Sequence, residues 1–213
     1  MLAREQETRV TTTRERAERS RVDKFALRRR MLAESALAAV ADRGFANTGL
    51  RDIAQHSSLS HGSLHYYFRD KDDLIAESVW IFKSDCARRY DDIVATSTEG
   101  AELTARIADT MAATLRDDAA LHRLWYDLRN QSLFEDGFRD TIIRIDDLLQ
   151  QMVWAIVLRY AELMGRAPAV APEFAYALVD GLFQNELIRF LRGDPEALDR
   201  LRRDCVTLLS NVA

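Results

Sequence analysis

Thr48-Gly-Leu-Arg-Asp-Ile-Ala-Gln-His-Ser-Ser-Leu-Ser-His-Gly-Ser-Leu-His-Tyr-Tyr-Phe68 holds two short helical patterns joined by a tight break and closed by an aromatic cluster. Thr48 is a good N-cap for a first helix whose apolar positions Leu50, Ile53 and Ala54 recur at helical spacing, and Ser57-Ser58 interrupts it. Ser60 then caps a second helix. That helix carries His61, Gly62, Ser63 and His65 where a packing helix would carry bulk. Small side chains let a backbone approach base edges, and His and Ser supply donors and acceptors, so the pattern reads as a helix-turn-helix suited to a DNA major groove.

The run from Leu32 through Phe45, Thr48, Ile53-Ala54, Leu59-Ser60, Gly62, Tyr67-Phe68, Lys71 and Leu74 resembles the N-terminal DNA-binding domain of the TetR family of one-component transcriptional regulators. The joint signature is the hydrophobic-Ser-x-Gly entry into the recognition helix, the Tyr-Phe at its end and the Lys opening the next helix. Ser57-Ser58 stands where Ala-Gly is common, and His65 where an aromatic is common. The resemblance implies that Tyr67 and Lys71 contact the DNA backbone, and the small, polar character of the second helix leads to the expectation that Ser63 and His65 face base edges. Thr48, Ser60, His61, Gly62 and Tyr66 complete the candidate DNA-contact set.

Two adjacent helices alone would equally fit an αα-hairpin that only packs. Charge separates the readings. Residues 1–71 hold 14 Lys and Arg against 9 Asp and Glu, whereas residues 72–213 hold 16 against 25. A chain of net charge −4 that is basic at one end keeps its phosphate-seeking charge beside the groove-reading helices.

Only 8 Gly and 3 Pro occur in 213 residues and no stretch alternates apolar with polar residues, which predicts an all-α chain. No apolar run reaches membrane-spanning length and the start is polar and Arg-bearing, so a cytoplasmic protein with no membrane partner is expected. Cys86 and Cys205 are too isolated for a disulfide framework or a zinc site. His61 and His65 lie four apart without a third ligand, and no phosphate loop or nucleophile elbow is present, so neither a metal, a cofactor nor catalysis is expected.

Three regions follow: a flexible Arg-bearing arm at 1–22, a helix-turn-helix domain at 23–70, and a helical ligand-binding and dimerisation domain at 71–213. Helix one is expected from about Lys24 to Arg43, stopped by Gly44, with Arg28, Arg29 and Arg30 placed to neutralise phosphates. Asp70, Asp72 and Asp73 open a long helix to about Ala95, and breaks near 96–100, 116–118, 134–137, 165–172 and 193–195 give about five more helices. The last two are amphipathic. The resemblance implies that they form a four-helix bundle with a two-fold mate, and Leu187, Leu198, Leu201, Cys205 and Leu208 are the expected interface.

Between reader and dimer face, aromatic walls with a few polar groups suit a small-molecule cavity. His122, Trp125, Tyr126, Arg129, Asn130, Trp154, Phe183 and Gln184 are its candidate lining. Residues 65–74 and 178–182 lean towards the branch with choline-responsive repressors, for which Trp125, Tyr126 and Trp154 would make an aromatic cage. The whole reads as a homodimeric repressor of a palindromic double-stranded operator, released by a small-molecule effector whose identity the sequence does not give. The rival readings are a helical small-molecule enzyme and a protein-interaction module without DNA binding.

Overall fold

The computed structural model describes residues 13–43, 48–56 and 61–212; the side chains of residues 13–20, 42, 43, 56, 61 and 63 lie outside that description. Within it the chain is all-α. The elements are α1 (Thr13–Arg43), α2 (Leu50–His56), α3 (His61–Tyr67), α4 (Lys71–Arg88), α5 (Asp91–Thr96), α6 (Gly100–Asp117), α7 (Ala119–Gln131), a 3-10 turn (Asp136–Phe138), α8 (Arg139–Met164), α9 (Pro172–Leu191) and α10 (Ala197–Val212).

Helix α1 starts at Thr13, well before the expected Lys24, so much of the expected arm is helical. No Gly or Pro falls between 13 and 43. Once Leu32, Ala33, Ala36, Leu37 and Val40 are buried, extending the hydrogen-bond ladder outward costs little compared with nucleating it. The expected stop at Gly44, the Ser57-Ser58 turn and the Ser60 cap lie outside the described residues. At α2 the Gly49 carbonyl accepts from Ile53 N–H (3.1 Å) and the Gly49 N–H donates to Asp52 (2.8 Å), which puts the cap position one residue after Thr48.

Helix α4 opens as its sequence dictates. Asp70 accepts from Asp73 N–H at 2.8 Å, and Asp72 and Asp73 face the positive end of the dipole. It does not run unbroken to Ala95. Arg89 N–H turns back to Cys86 O and Tyr90 N–H to Ala87 O, which buries Tyr90 and lets Arg89 reach Asp118 (2.7 Å) and Thr114 (3.2 Å). The later breaks fall where they are expected. Gly165, at φ 66°, ends α8 with Arg166 N–H to Ala161 O and Gly165 N–H to Glu162 O, a Schellman turn that a left-handed residue permits.

One apolar core runs from α1 through α4 and α6–α10. Helix α10 packs on α6 and α9, and α8 on α9 and α4. Between α9 and α10, buried Glu186 takes Arg200 (2.9 Å), which also holds Asp194 (2.7 Å). This packing corrects the expected dimer face. Leu187, Leu201 and Cys205 are already sealed inside the single chain, and Leu198 and Leu208 are half-buried against the same core. The large apolar residues left outward on α9 are Phe174, Leu178, Ile188 and Leu191, joined on α10 by Val206. The reason is that α10 turns its apolar face onto α6 and α9.

Candidate functional site

Helix α3 is short and two-faced. Leu64 and the following Phe68 are buried, whereas Gly62, His65 and Tyr66 face outward, Tyr66 at 72 % exposure. The ends of the reader are fixed from behind. Arg29 of α1 lies 4.4 Å over the Phe68 ring, donates to the Tyr67 carbonyl (2.5 Å), and pairs with Asp73 (2.9 Å) and Glu77 (3.3 Å) of α4. Phe25 stacks against Tyr67 and Tyr66 at 4.8 and 5.9 Å. The expectation that Arg28 to Arg30 meet phosphates is therefore corrected for two of them. Arg29 turns inward, Arg30 pairs with Glu34 and Asp85, and Arg28 alone stays exposed.

Among the remaining DNA candidates, Thr48 is only 2 % exposed and sits beneath the reader. Lys71 is half-buried at the start of α4. Burial lowers its pKa, opposed by Asp72 and Glu135 nearby. Ser60, and the side chains of His61 and Ser63, lie outside the described residues.

A second site lies inside the body, between α4, α6, α7, α8 and α9. Here a cavity of about 60 Å³ is bounded by Lys83, Cys86, His122, Tyr126, Asp180 and Phe183, with Met111, Leu149, Met152 and Val179 as apolar walls. Lys83 is the group that sequence reasoning missed. It is 5 % exposed, with Nζ 3.3 Å from His122 Nδ1 and 4.9 Å above the Trp125 ring. Burial pushes its pKa down to about 8. The same burial, with Lys83 and Arg89 close by, holds His122 well below its ordinary range, so the imidazole is neutral.

Beside them lies an acid network. Tyr126 donates to Asp180 (3.0 Å), Tyr176 to Asp146 (2.5 Å), and Arg129 spans Asp180 (2.5 Å) and Asp146 (3.4 Å). Burial raises both tyrosines and keeps their hydroxyls protonated as donors.

His122, Tyr126 and Phe183 thus line the cavity as expected, with Phe183 4.7 Å from the His122 ring. Trp125 backs it and Arg129 anchors its acids. Asn130 points to solvent on the other side of α7, and Trp154 and Gln184 are half-buried outside the lining. The aromatic cage does not form, because Lys83 already occupies the Trp125 face and Trp154 stands elsewhere. Cys86, Asp118 and His122 come within 4.8 Å of one another, nearer than the sequence suggests for Cys86. Arg89 on Asp118 and Lys83 on His122 oppose a further cation there.

Residues 32–78 match the family described as bacterial regulatory proteins, tetR family. The N-terminal reader is a tetR-family DNA-binding domain. Among relatives the chain is similar to the HTH-type transcriptional regulator PksA of Bacillus subtilis (strain 168), 24 % identical across 82 % of this chain and 85 % of that one. It is also similar to the HTH-type transcriptional repressor KstR2 of Mycolicibacterium smegmatis, 35 % identical across 36 % of this chain and 38 % of that one. Its fold is like that of the transcriptional regulator FadR of Bacillus subtilis in complex with stearoyl-CoA, with TM-score 0.70 and 15 % identity over 85 % of this chain and 97 % of that one. Each of these matches is named as a transcriptional regulator or repressor. No helix among the described residues is long and apolar enough to cross a membrane.

The tetR-family reader and the cavity share elements. Helix α4 begins at Lys71 beside the reader and carries Lys83 into the cavity, twelve residues or about 18 Å further on. Helix α7 holds His122 in the cavity and, at the next residue, Arg123 donates to the Ala41 carbonyl near the end of α1 (2.7 Å). The signal for Lys83 was a lone cation in the apolar run Ile81-Phe82-Lys83. The signal for Asp180 was an acid four residues after Tyr176 within an apolar helix.

Proposed function

We propose that this DNA-binding regulator is a homodimeric repressor of a palindromic operator, acting in the cytoplasm and released when a small molecule enters the inner cavity. Helix α3 enters the major groove with Gly62 and His65 outward, and Ser60, His61 and Ser63 complete the proposed DNA-contact set. Tyr66, Tyr67 and Lys71 flank it towards the backbone. The observation that carries this reading is the sharing of α4 and α7 between reader and cavity. A ligand that wedges the cavity open displaces Lys83 and His122, and so biases the placement of α4 and of α1 through Arg123.

At about 60 Å³ the cavity is far smaller than the roughly 300–1,000 Å³ of a small-molecule site, so occupation must move helices. Met111 and Met152 are the walls best able to repack, being unbranched and flexible. That FadR holds stearoyl-CoA in this fold supports a ligand in the body. The two-fold mate docks on the outward stripe of α9, Phe174, Leu178 and Ile188, with Gly181 on the same face, where an added Cβ meets nothing within 4 Å.

The test is fluorescence anisotropy of the DNA upstream of the gene, titrated with full-length protein alone and with candidate effectors. Saturable binding that an effector weakens is the expected result, with reciprocal weakening of effector binding by the operator. No preference for that DNA over random duplex would remove the reading.

A further inference from the structure

The cavity's hydrogen-bonding capacity is unbalanced. Lys83 carries three N–H donors and no acceptor, and its hydrogen-bond partner is His122 Nδ1. An ammonium can only donate, so Nδ1 accepts, and the neutral ring carries its proton on Nε2. That Nε2 is buried with no hydrogen-bond partner. The acids are already engaged: each oxygen of Asp180 and of Asp146 faces Tyr126, Tyr176 or Arg129. The donors left over beside the cavity are therefore the Lys83 ammonium and the buried His122 Nε2, and among the described residues no carboxylate pairs directly with Lys83. A buried donor without a partner costs about 1–3 kcal/mol, more when charged.

The other end of the space is different in kind. A second void shares Tyr90, Met111, Met152, Val153 and Val179 with the first and continues between Ile107, Leu208 and Leu209 with no polar lining. The combined shape has a donor-rich head at α4 and α7 and a hydrocarbon channel towards α6 and α10.

We infer that the effector is an amphipathic monoanion, a carboxylate on an unbranched or compact hydrocarbon body, whose oxygens are received by Lys83 Nζ and His122 Nε2 while the body lies along Met111, Met152 and Val179. The inference deepens the ligand-released reading above and rests on it. A carboxylate supplies acceptors for both donors and a counter-charge in direct contact with Lys83, whereas Asp180 and Asp146 act on it only from beyond their contacts with Arg129 and the tyrosines. A cationic ligand would meet the like charge of the largely buried Lys83, where such contacts are weakly screened.

The groups facing Lys83 are Cys86 on its own helix, His122 and Arg129 on α7, Asp146 on α8 and Asp180 on α9. Burial holds the Cys86 thiol up and the His122 ring neutral, which leaves Lys83 as the group that changes charge near pH 8.

The experiment is calorimetric titration of the full-length protein at pH 7 with straight-chain carboxylates from butanoate to decanoate. Each is compared with the amide and the amine of the same length, and with choline. At least one carboxylate binds, its amide binds at least about tenfold more weakly because a charge-assisted contact is lost, and the amines and choline do not compete. Lys83→Met weakens the carboxylate by a similar factor without weakening the amide. In the unaltered protein carboxylate affinity falls between pH 8 and 9 while amide affinity holds, a readout that needs no variant to fold.

Failure of every carboxylate, tighter binding of an amine or of choline, or undiminished carboxylate binding by Lys83→Met overturns the inference. The same samples titrated against the upstream DNA separate the two readings. Carboxylate binding without release of DNA keeps the head-group assignment and removes the regulatory one, and release by choline alone does the reverse.

Discussion

Lys83 holds a charge among Phe82, Trp125 and His122 where water does not reach, and the fold bears the cost. Its folded pKa of about 8 lies below the ordinary 10.5, so the unfolded chain binds the proton more tightly. Below pH 8 both states are charged and the penalty is complete; between 8 and 10.5 the folded state sheds the proton first and relative stability rises. Lys83→Met should therefore stabilise the protein by up to about 3 kcal/mol at pH 7, and the advantage should fade by pH 10.5. Urea denaturation of both proteins at several pH values checks this, and a pH-independent difference would contradict it. At the reader, His65 faces outward from α3. His65→Ala should change base preference by about 1–3 kcal/mol at particular positions while leaving affinity for random DNA nearly intact. Selection from a randomised operator pool reads this directly; the same selected site for both proteins would remove His65 from base readout.

At the level of elements, most helix ends were legible because they are written in local chemistry: Asp70 before Asp72-Asp73, Gly165 after α8, Pro172 at the head of α9. The DNA reader was legible for the same reason, as Leu64 and Phe68 mark the inward face of a single short helix and Gly62 and His65 stand where a packing helix would carry apolar bulk. What the sequence could not give is which neighbour each apolar stripe meets. Leu201 and Cys205 have the spacing of an interface seam, and only the packing of α10 on α6 and α9 turns that seam inward. Likewise Lys83, Asp146 and Asp180 come from three helices, and no local pattern announces that they converge. Arg123 belongs here too, since it ties α7 to the α1 carbonyl of Ala41. Arg123→Ala should leave operator and effector binding each within a few-fold of wild type but reduce their mutual antagonism, by about 1 kcal/mol of the 1–3 typical of such coupling. Anisotropy titrations at zero and saturating effector measure it, and unchanged antagonism would exclude this contact as a route.

For the whole molecule, the outward stripe on α9 and the sealed face of α10 make opposite predictions for substitution. Ile188 is 53 % exposed in the single chain, so Ile188→Asp should leave the monomer folded and break the dimer, and operator affinity should collapse as each half-site is then bound alone. Leu201 is 0 % exposed, and Leu201→Asp should unfold the chain instead. Light scattering with circular dichroism separates the outcomes; a dimeric Ile188→Asp would place the two-fold axis elsewhere. The small cavity also sets a clock. A cavity of about 60 Å³ cannot admit a ligand of several carbons until α4, α7 and α9 part, so uptake waits on spontaneous opening, on the microsecond-to-second scale of such motions. With more ligand outside, the observed uptake rate levels off at the opening rate. The response time of the switch then belongs to the breathing of its own helices, and a cell flooded with effector gains no further speed.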